Sequence, residues 1–171
     1  THQKNQTLAI KVMNDSLTNK LNFKLNLDLI GDGEDKVRLS NLIIKNNLYN
    51  HVEIRPFNNN ILDDLKNYDL VLCTSLWEDS SVFLNEVLSV GIPLIAPKEL
   101  HGLEDHTNNS LISDLFFNCY DSKEILEKII LFYKRRDFYR EAFFSMSNKT
   151  LSLHTTFSYF TLTKRFLSLE S

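Results

Sequence analysis

The spacing of apolar residues changes period several times along the chain. Over residues 6–18, Leu8, Ala9 and Val12 share one side, which predicts a helix. "FKLNLDLI" then alternates, with Phe23, Leu25, Leu27 and Leu29 facing one way and Lys24, Asn26 and Asp28 the other, which predicts a strand. Gly31 and Gly33 close it with a tight turn. Helical spacing returns in "EDKVRLSNLIIKNNL", where Leu39, Leu42 and Ile43 fall at i, i+3, i+4. Glu34 and Asp35 stand at the end of that helix which the macrodipole favours. "HVEIRPF" predicts a short strand stopped by Pro56, and "ILDDLKN" a short helix after the loop "NNN".

"YDLVLCTS" is a continuous apolar run, as a central strand covered on both faces would be. A helix from about Ser80 to Val90 follows. It would bury Phe83, Val87 and Val90, with Leu84 and Leu88 adjoining, and end at Gly91. "IPLIAP" predicts the next strand, with Pro93 at its start, where a missing N–H is tolerated. "KELHGLEDHTNNSLISD" has no clear period, and "LFFNC" predicts a further strand. "DSKEILEKIILFYKRRD" is helical: Ile125, Ile129 and Tyr133 form one line, Leu126 and Ile130 the next. Asp121 and Glu124 resemble a capping box. From Phe138 to Leu169 one or two more helices are expected.

Strands alternating with helices imply parallel strands and right-handed crossovers. The expected fold class is α/β: a Rossmann-like parallel sheet with helices on both faces, in one domain over residues 1–171. The chain opens directly into helical periodicity, where a complete domain of this class usually starts with a strand. A piece of a longer protein is therefore expected.

Composition is ordinary for a globular domain, at 43% hydrophobic and 24% charged residues. A net charge of −3 argues against a dedicated nucleic-acid binder. The two cysteines, Cys73 and Cys119, have no metal-ligand spacing, so free thiols in a reducing compartment are expected. No signal peptide and no bilayer-spanning apolar run is visible, which points to the cytoplasm.

One stretch stands out chemically. "TSLWEDSSVFLNEVLSVGIPLIAP" is built mostly to be buried, yet carries Glu78 and Glu86. Buried acids are costly unless paired. If helical, the two lie roughly 12 Å apart at about 1.5 Å per residue. That exceeds the roughly 5–9.5 Å between the carboxylates of a glycoside hydrolase and suits two contacts on one elongated ligand. "DSSV" between them starts the helix, and free N–H groups there favour an anion. Each Glu also has a bland alternative, serving the helix dipole at Glu78 or facing water at Glu86.

This segment resembles the E-x7-E stretch of retaining glycosyltransferases of the GT-B fold, glycosyltransferase family 4 (group 1). "LDLIGDGED" is similar to that family's strand and glycine turn, and "LYNHVEIRPF" to its next short strand. "YDLVLCTSLWEDSSVFLNEVLSVGIPLIA" follows its order of strand, small-residue turn, Glu, helix, Gly-x-Pro and strand. "SKEILEKIILFYKRRDFYREAF" resembles its late helix pair.

The resemblance implies a nucleotide-sugar donor, with metal-independent chemistry and no other cofactor. It puts Glu78 in the catalytic role, touching hydroxyls of the transferred sugar, and Glu86 on the ribose hydroxyls. Backbone N–H groups near Asp79, Ser80, Ser81 and Val82 would meet the distal phosphate or sugar. Gly31 would let the backbone approach the diphosphate, Lys4 would neutralise it, and Ile54, Arg55, Pro56 and Phe57 would lie against the base. Where family members often have Gly-Phe-Gly after the first Glu, this chain has Asp79-Ser80-Ser81; Asp79 either tunes sugar choice or caps the helix. The family's first strand and its N-terminal acceptor domain are not in the chain.

The implied reaction transfers a hexose from a nucleotide diphosphate to an acceptor hydroxyl with retention, in bacterial-type polysaccharide or glycoconjugate synthesis. The donor half alone would be inactive. Acceptor glycans, lipid-linked ones included, would bind through the other half. Two rival readings stay open: a non-catalytic interaction module of the same fold, and a sugar-nucleotide epimerase-like domain. The acids of "DGED" and "LEDH" are read as turn and loop acids, and His101 and His106 as surface residues. The basic, aromatic "FYKRRDFYREAFF" is read as an amphipathic helix with a solvated face, with peripheral membrane contact as the alternative. "TFSYFTLTKRFLSL" is expected to pack on the other lobe, to form a dimer contact or to leave an apolar patch.

Overall fold

The computed structural model describes residues 2–58, 61–78, 82–103, 111–147 and 160–168, the last by backbone alone. A 3-10 turn at His2–Lys4 leads into α1 (Gln6–Thr18), followed by β1 (Phe23–Ile30) and α2 (Lys36–Lys45). Next come β2 (Val52–Arg55), α3 (Ile61–Leu65), β3 (Tyr68–Leu72), α4 (Val82–Val90) and β4 (Leu94–Ile95). A second 3-10 turn at Ser113–Leu115 precedes α5 (Ser122–Lys134), α6 (Arg136–Ser147) and β5 (Phe160–Ser168).

The sheet order is β2-β1-β5-β3-β4. β1 pairs with β2, and β3 with β4, in parallel; β5 lies between the two pairs and runs antiparallel to both neighbours. The α/β architecture with parallel strands and flanking helices matches the expectation. The helical reading of Phe138–Leu169 holds for α6 but fails for residues 160–168, which enter the sheet; residues 148–159 and Leu169 lie outside the described ones. "FTLTKRFLS" carries two Thr and two Phe, residues that favour a pleated strand, and Thr161 and Thr163 alternate around Leu162. The expected strand "LFFNC" is also corrected: it shrinks to one bridge, Pro97 to Phe117. The 3-10 turn immediately before it absorbs Ser113–Leu115.

β3 is buried at every position, as its unbroken apolar run requires. β1 buries its apolar face and also Asp28 and Ile30 on the other, so the sheet is covered on both sides near its carboxyl end. α1 packs against α2 and α5, while α4 packs against α3 and α6. Phe23 stacks on Tyr133 of α5 with ring centroids 4.0 Å apart. In α4, Leu84, Val87 and Leu88 are the buried line and Val90 is only partly covered; the Phe83 side chain lies outside the described ones. Gly91 ends α4 at φ +71, and a Cβ there would stand 3.0 Å from the Cα of Phe144. The spacing that suggested a capping box at Asp121 resolves differently. Asp121 does cap α5, but Glu124 accepts from the N–H groups of Asn118 (3.0 Å) and Cys119 (2.9 Å) and so pins the loop before the helix.

Candidate functional site

The candidate residues come from the carboxyl ends of β1, β2 and β3, where open α/β sheets place their ligands. Gly31 follows β1 with φ 143, a conformation that L side chains rarely adopt, and its N–H donates to the Arg55 carbonyl at 2.8 Å. The Phe57 N–H donates to Asp32 Oδ2 at 3.0 Å. The glycine turn and the stretch expected to meet the base, Ile54–Phe57, are thus bonded side by side. Ile54 and Phe57 are partly buried, and Pro56 is exposed. The Arg55 guanidinium turns to Tyr68 Oη (2.8 Å) and Asp28 Oδ2 (3.2 Å).

The β3–α4 loop carries Glu78, and the N-terminal 3-10 turn carries Lys4. Lys4 Nζ lies 2.8 Å from Glu78 Oε1 and 2.9 Å from Oε2. Both side chains are only 10% exposed. This is not an isolated contact. Thr74 Oγ1 donates to the Lys4 carbonyl (2.9 Å), the Leu76 N–H to the Gln3 carbonyl (2.8 Å), and Gln3 Nε2 to the Trp77 carbonyl (3.0 Å). From the other side, Tyr120 Oη donates to the Ser75 carbonyl at 2.7 Å. The loop is held by hydrogen bonds to its backbone on both flanks, so the ion pair sits on a fixed frame.

Glu86 lies within α4 and is 4% exposed, unlike a mid-helix Glu facing water. Val82 is the first residue of α4. Asp79, Ser80 and Ser81 lie outside the described residues, so the helical-rise spacing between the two glutamates applies only from Val82 onward. His101 is exposed as expected; His106 and the acids of "LEDH" lie outside the described residues. Cys73 is buried, and that burial pushes its thiol up to about 11, so it stays protonated and unreactive. Cys119 is exposed, and both cysteines are free. Among the described residues, no three His, Cys, Asp or Glu side chains gather as metal ligands would. Among the described residues, no helix is long and apolar enough to cross a membrane.

The sequence pairs Lys4 with no partner, and nothing in it marks Thr74, Gln3 or Tyr120. Their roles depend on contacts between residues more than 40 positions apart. A separate cleft of about 460 Å³, lined in part by Tyr68, Gly91, Pro93, Arg140 and Phe144, opens at the amino ends of β3 and β4, away from these groups.

Solved structures share this fold at low sequence identity. TarM superposes with a TM-score of 0.76 at 17% identity, over 88% of this chain and 30% of that one. HepE of Anabaena, solved in complex with UDP, gives 0.71 at 17% identity, over 88% of this chain and 41% of that one. The catalytic domain of cholesterol-α-glucosyltransferase from Helicobacter pylori gives 0.65 at 20% identity, over 88% of this chain and 91% of that one. The chain thus spans less than half of TarM and of HepE. No curated protein is similar enough in sequence to match it. The fold is that of one half of a GT-B glycosyltransferase. The family model described as glycosyl transferases group 1 matches residues 1–143, and the chain belongs to that family.

Proposed function

We propose that this chain is the donor-binding domain of a retaining glycosyltransferase of family 4, moving a hexose from a nucleotide-sugar to an acceptor hydroxyl in polysaccharide or glycoconjugate synthesis. The observation that carries the reading is the pairing of Lys4 with Glu78 after the carboxyl end of β3, followed in the next helix by the buried Glu86. A buried cation, one buried and one largely shielded carboxylate, and the nine-residue helix that carries the buried one match the parts of such a donor. Lys4 and the α4 amino end meet the diphosphate, Glu78 the sugar hydroxyls, and Glu86 the ribose.

In this reading the leaving diphosphate gains charge as the glycosidic bond breaks, and Lys4 with the helix N-terminus stabilises it. Gly31 gives the backbone close approach to the phosphates. Ile54 and Phe57 supply the apolar wall for the base. Uridine is the first base to test, because HepE and a variant of S. aureus TarM were solved with UDP. The acceptor, a glycan or lipid-linked glycan, binds through a second lobe, without which the domain does not turn over. Cytoplasmic location, with α6 touching the membrane face, belongs to the same reading.

Calorimetric titration with UDP, GDP and ADP and their sugar conjugates tests it. Saturable binding to one base is expected, abolished in Glu86→Ala. Unchanged affinity in that variant would remove Glu86 from the ribose.

A further inference from the structure

We infer that the Lys4–Glu78 ion pair is a two-part lock that favours an intact nucleotide-sugar over the bare nucleoside diphosphate. The inference rests on the donor-domain reading and adds a specificity mechanism to it. The two groups assigned to neighbouring parts of the donor are here bonded to each other, through both carboxylate oxygens and with little solvent access. A pair in that setting is costly to break from one side only, because the partner left behind stays desolvated and uncompensated.

A diphosphate alone offers an anion to Lys4 and nothing to Glu78. A free sugar alone offers hydroxyl donors to Glu78 and nothing to Lys4. A nucleotide-sugar presents both in one molecule, the sugar joined to the distal phosphate through the anomeric oxygen, and exchanges the whole pair in a single event. Neither partner can evade this through backbone movement. The Lys4 carbonyl is held by Thr74, and the loop before Glu78 by Gln3 and Tyr120. The same lock acts in reverse after transfer. Once the sugar has left, Glu78 reclaims Lys4 and competes with the diphosphate, which promotes product release.

The signature is counter-intuitive: removing the charge of the sugar-contacting residue strengthens binding of the sugarless nucleotide. The full chain and Glu78→Gln are titrated with UDP and UDP-glucose, with the GDP and ADP counterparts alongside. In Glu78→Gln, UDP should bind about tenfold tighter than in the unmodified chain, a difference of about 1.4 kcal/mol. Its preference for UDP-glucose over UDP should shrink. Equal or weaker UDP binding in Glu78→Gln overturns the lock while leaving the donor-domain reading intact. If Glu78→Gln fails to fold by circular dichroism, the unmodified chain answers the same question: saturating free glucose should tighten UDP binding severalfold, and no change overturns the lock. If the unmodified chain binds none of the nucleotides or their sugar conjugates, the donor-domain reading itself fails, and the lock with it.

Discussion

Asp28 is a buried carboxylate and Glu78 a largely shielded one, each with a basic partner, and the fold surrounds them differently. Asp28 sits on β1, accepts from Tyr68 Oη of β3 at 2.8 Å and meets Arg55 of β2 at 3.2 Å. Arg55 also donates to Tyr68, which closes a triangle across three strands. Burial, and then the bond to Asp28, hold the Tyr68 phenol well above its ordinary value, so it remains a donor at any physiological pH. Glu78 pairs with Lys4, its one basic partner among the described residues, and the two lie on a loop and a turn. A carboxylate tied to strands from several sides specifies the sheet. Under the proposed function, a carboxylate whose basic partner sits on a separate turn can exchange that partner for a ligand.

Removing Asp28 should have the largest effect. Asp28→Ala should cost about 3 kcal/mol of stability, because Tyr68 and Arg55 lose their shared acceptor. Denaturant titration reads that loss, and the folded fraction should keep its nucleotide affinity; a matching fall in affinity would erase the distinction between the two carboxylates. Gly91→Ala, far from the loop, should cost about 2 kcal/mol through its positive φ and its approach to Phe144. Because its cost is backbone strain and crowding, with no polar partner lost, its effect on nucleotide affinity shows how much instability alone leaks into binding.

Lys4→Met should act the other way round. UDP affinity should drop by about tenfold, roughly 1.4 kcal/mol, while the unfolding midpoint moves less than in Asp28→Ala. A variant as unstable as Asp28→Ala but with full affinity would make Lys4 structural. Tyr120→Phe removes the donor to Ser75 at a stability cost of about 1 kcal/mol. A loosened loop predicts weaker UDP-glucose binding as well, and isothermal titration distinguishes that from an inert surface change.

The smallest expected effect is at Glu124. Burial alone would raise its carboxyl, but the N–H groups of Asn118 and Cys119, with Lys128 and Lys98 nearby, outweigh it and hold the group below its ordinary value. Its contribution is therefore complete above the unfolded value near 4.5 and disappears as pH falls through the lower folded value. Glu124→Gln should cost under about 1 kcal/mol at pH 7, a gap that melting curves should show closing toward pH 3.

Much of this was legible along the chain because it is local. α1, β1, α2, β2, β3, α4 and α5 each announce themselves by period, and Gly91 by its place at a helix end. Glu78 and Glu86 could be singled out because acids in an apolar stretch require compensation. The partner of Glu78 could not be read, since 74 positions separate Lys4 from it. The frame of Thr74, Gln3 and Tyr120 is made of common polar residues whose spacing carries no signal. Residues 160–168 were misread because their large apolar side chains outweighed the Thr alternation. The reversed direction of β5 has no local signature at all.

That strand governs the order in which the molecule can assemble. β5 is the last described element in the chain, and it bridges β1 to β3: Phe160 sits opposite Ile30 and Thr161 opposite Leu72. Until it docks, β2-β1 and β3-β4 are two separate ribbons with open inner edges. Closing the sheet then means bringing β5 to segments roughly ninety residues or more away, the kind of long-range pairing that slows folding. During synthesis those inner edges wait longest, and they are the surfaces a chaperone or a second unfinished chain would meet first.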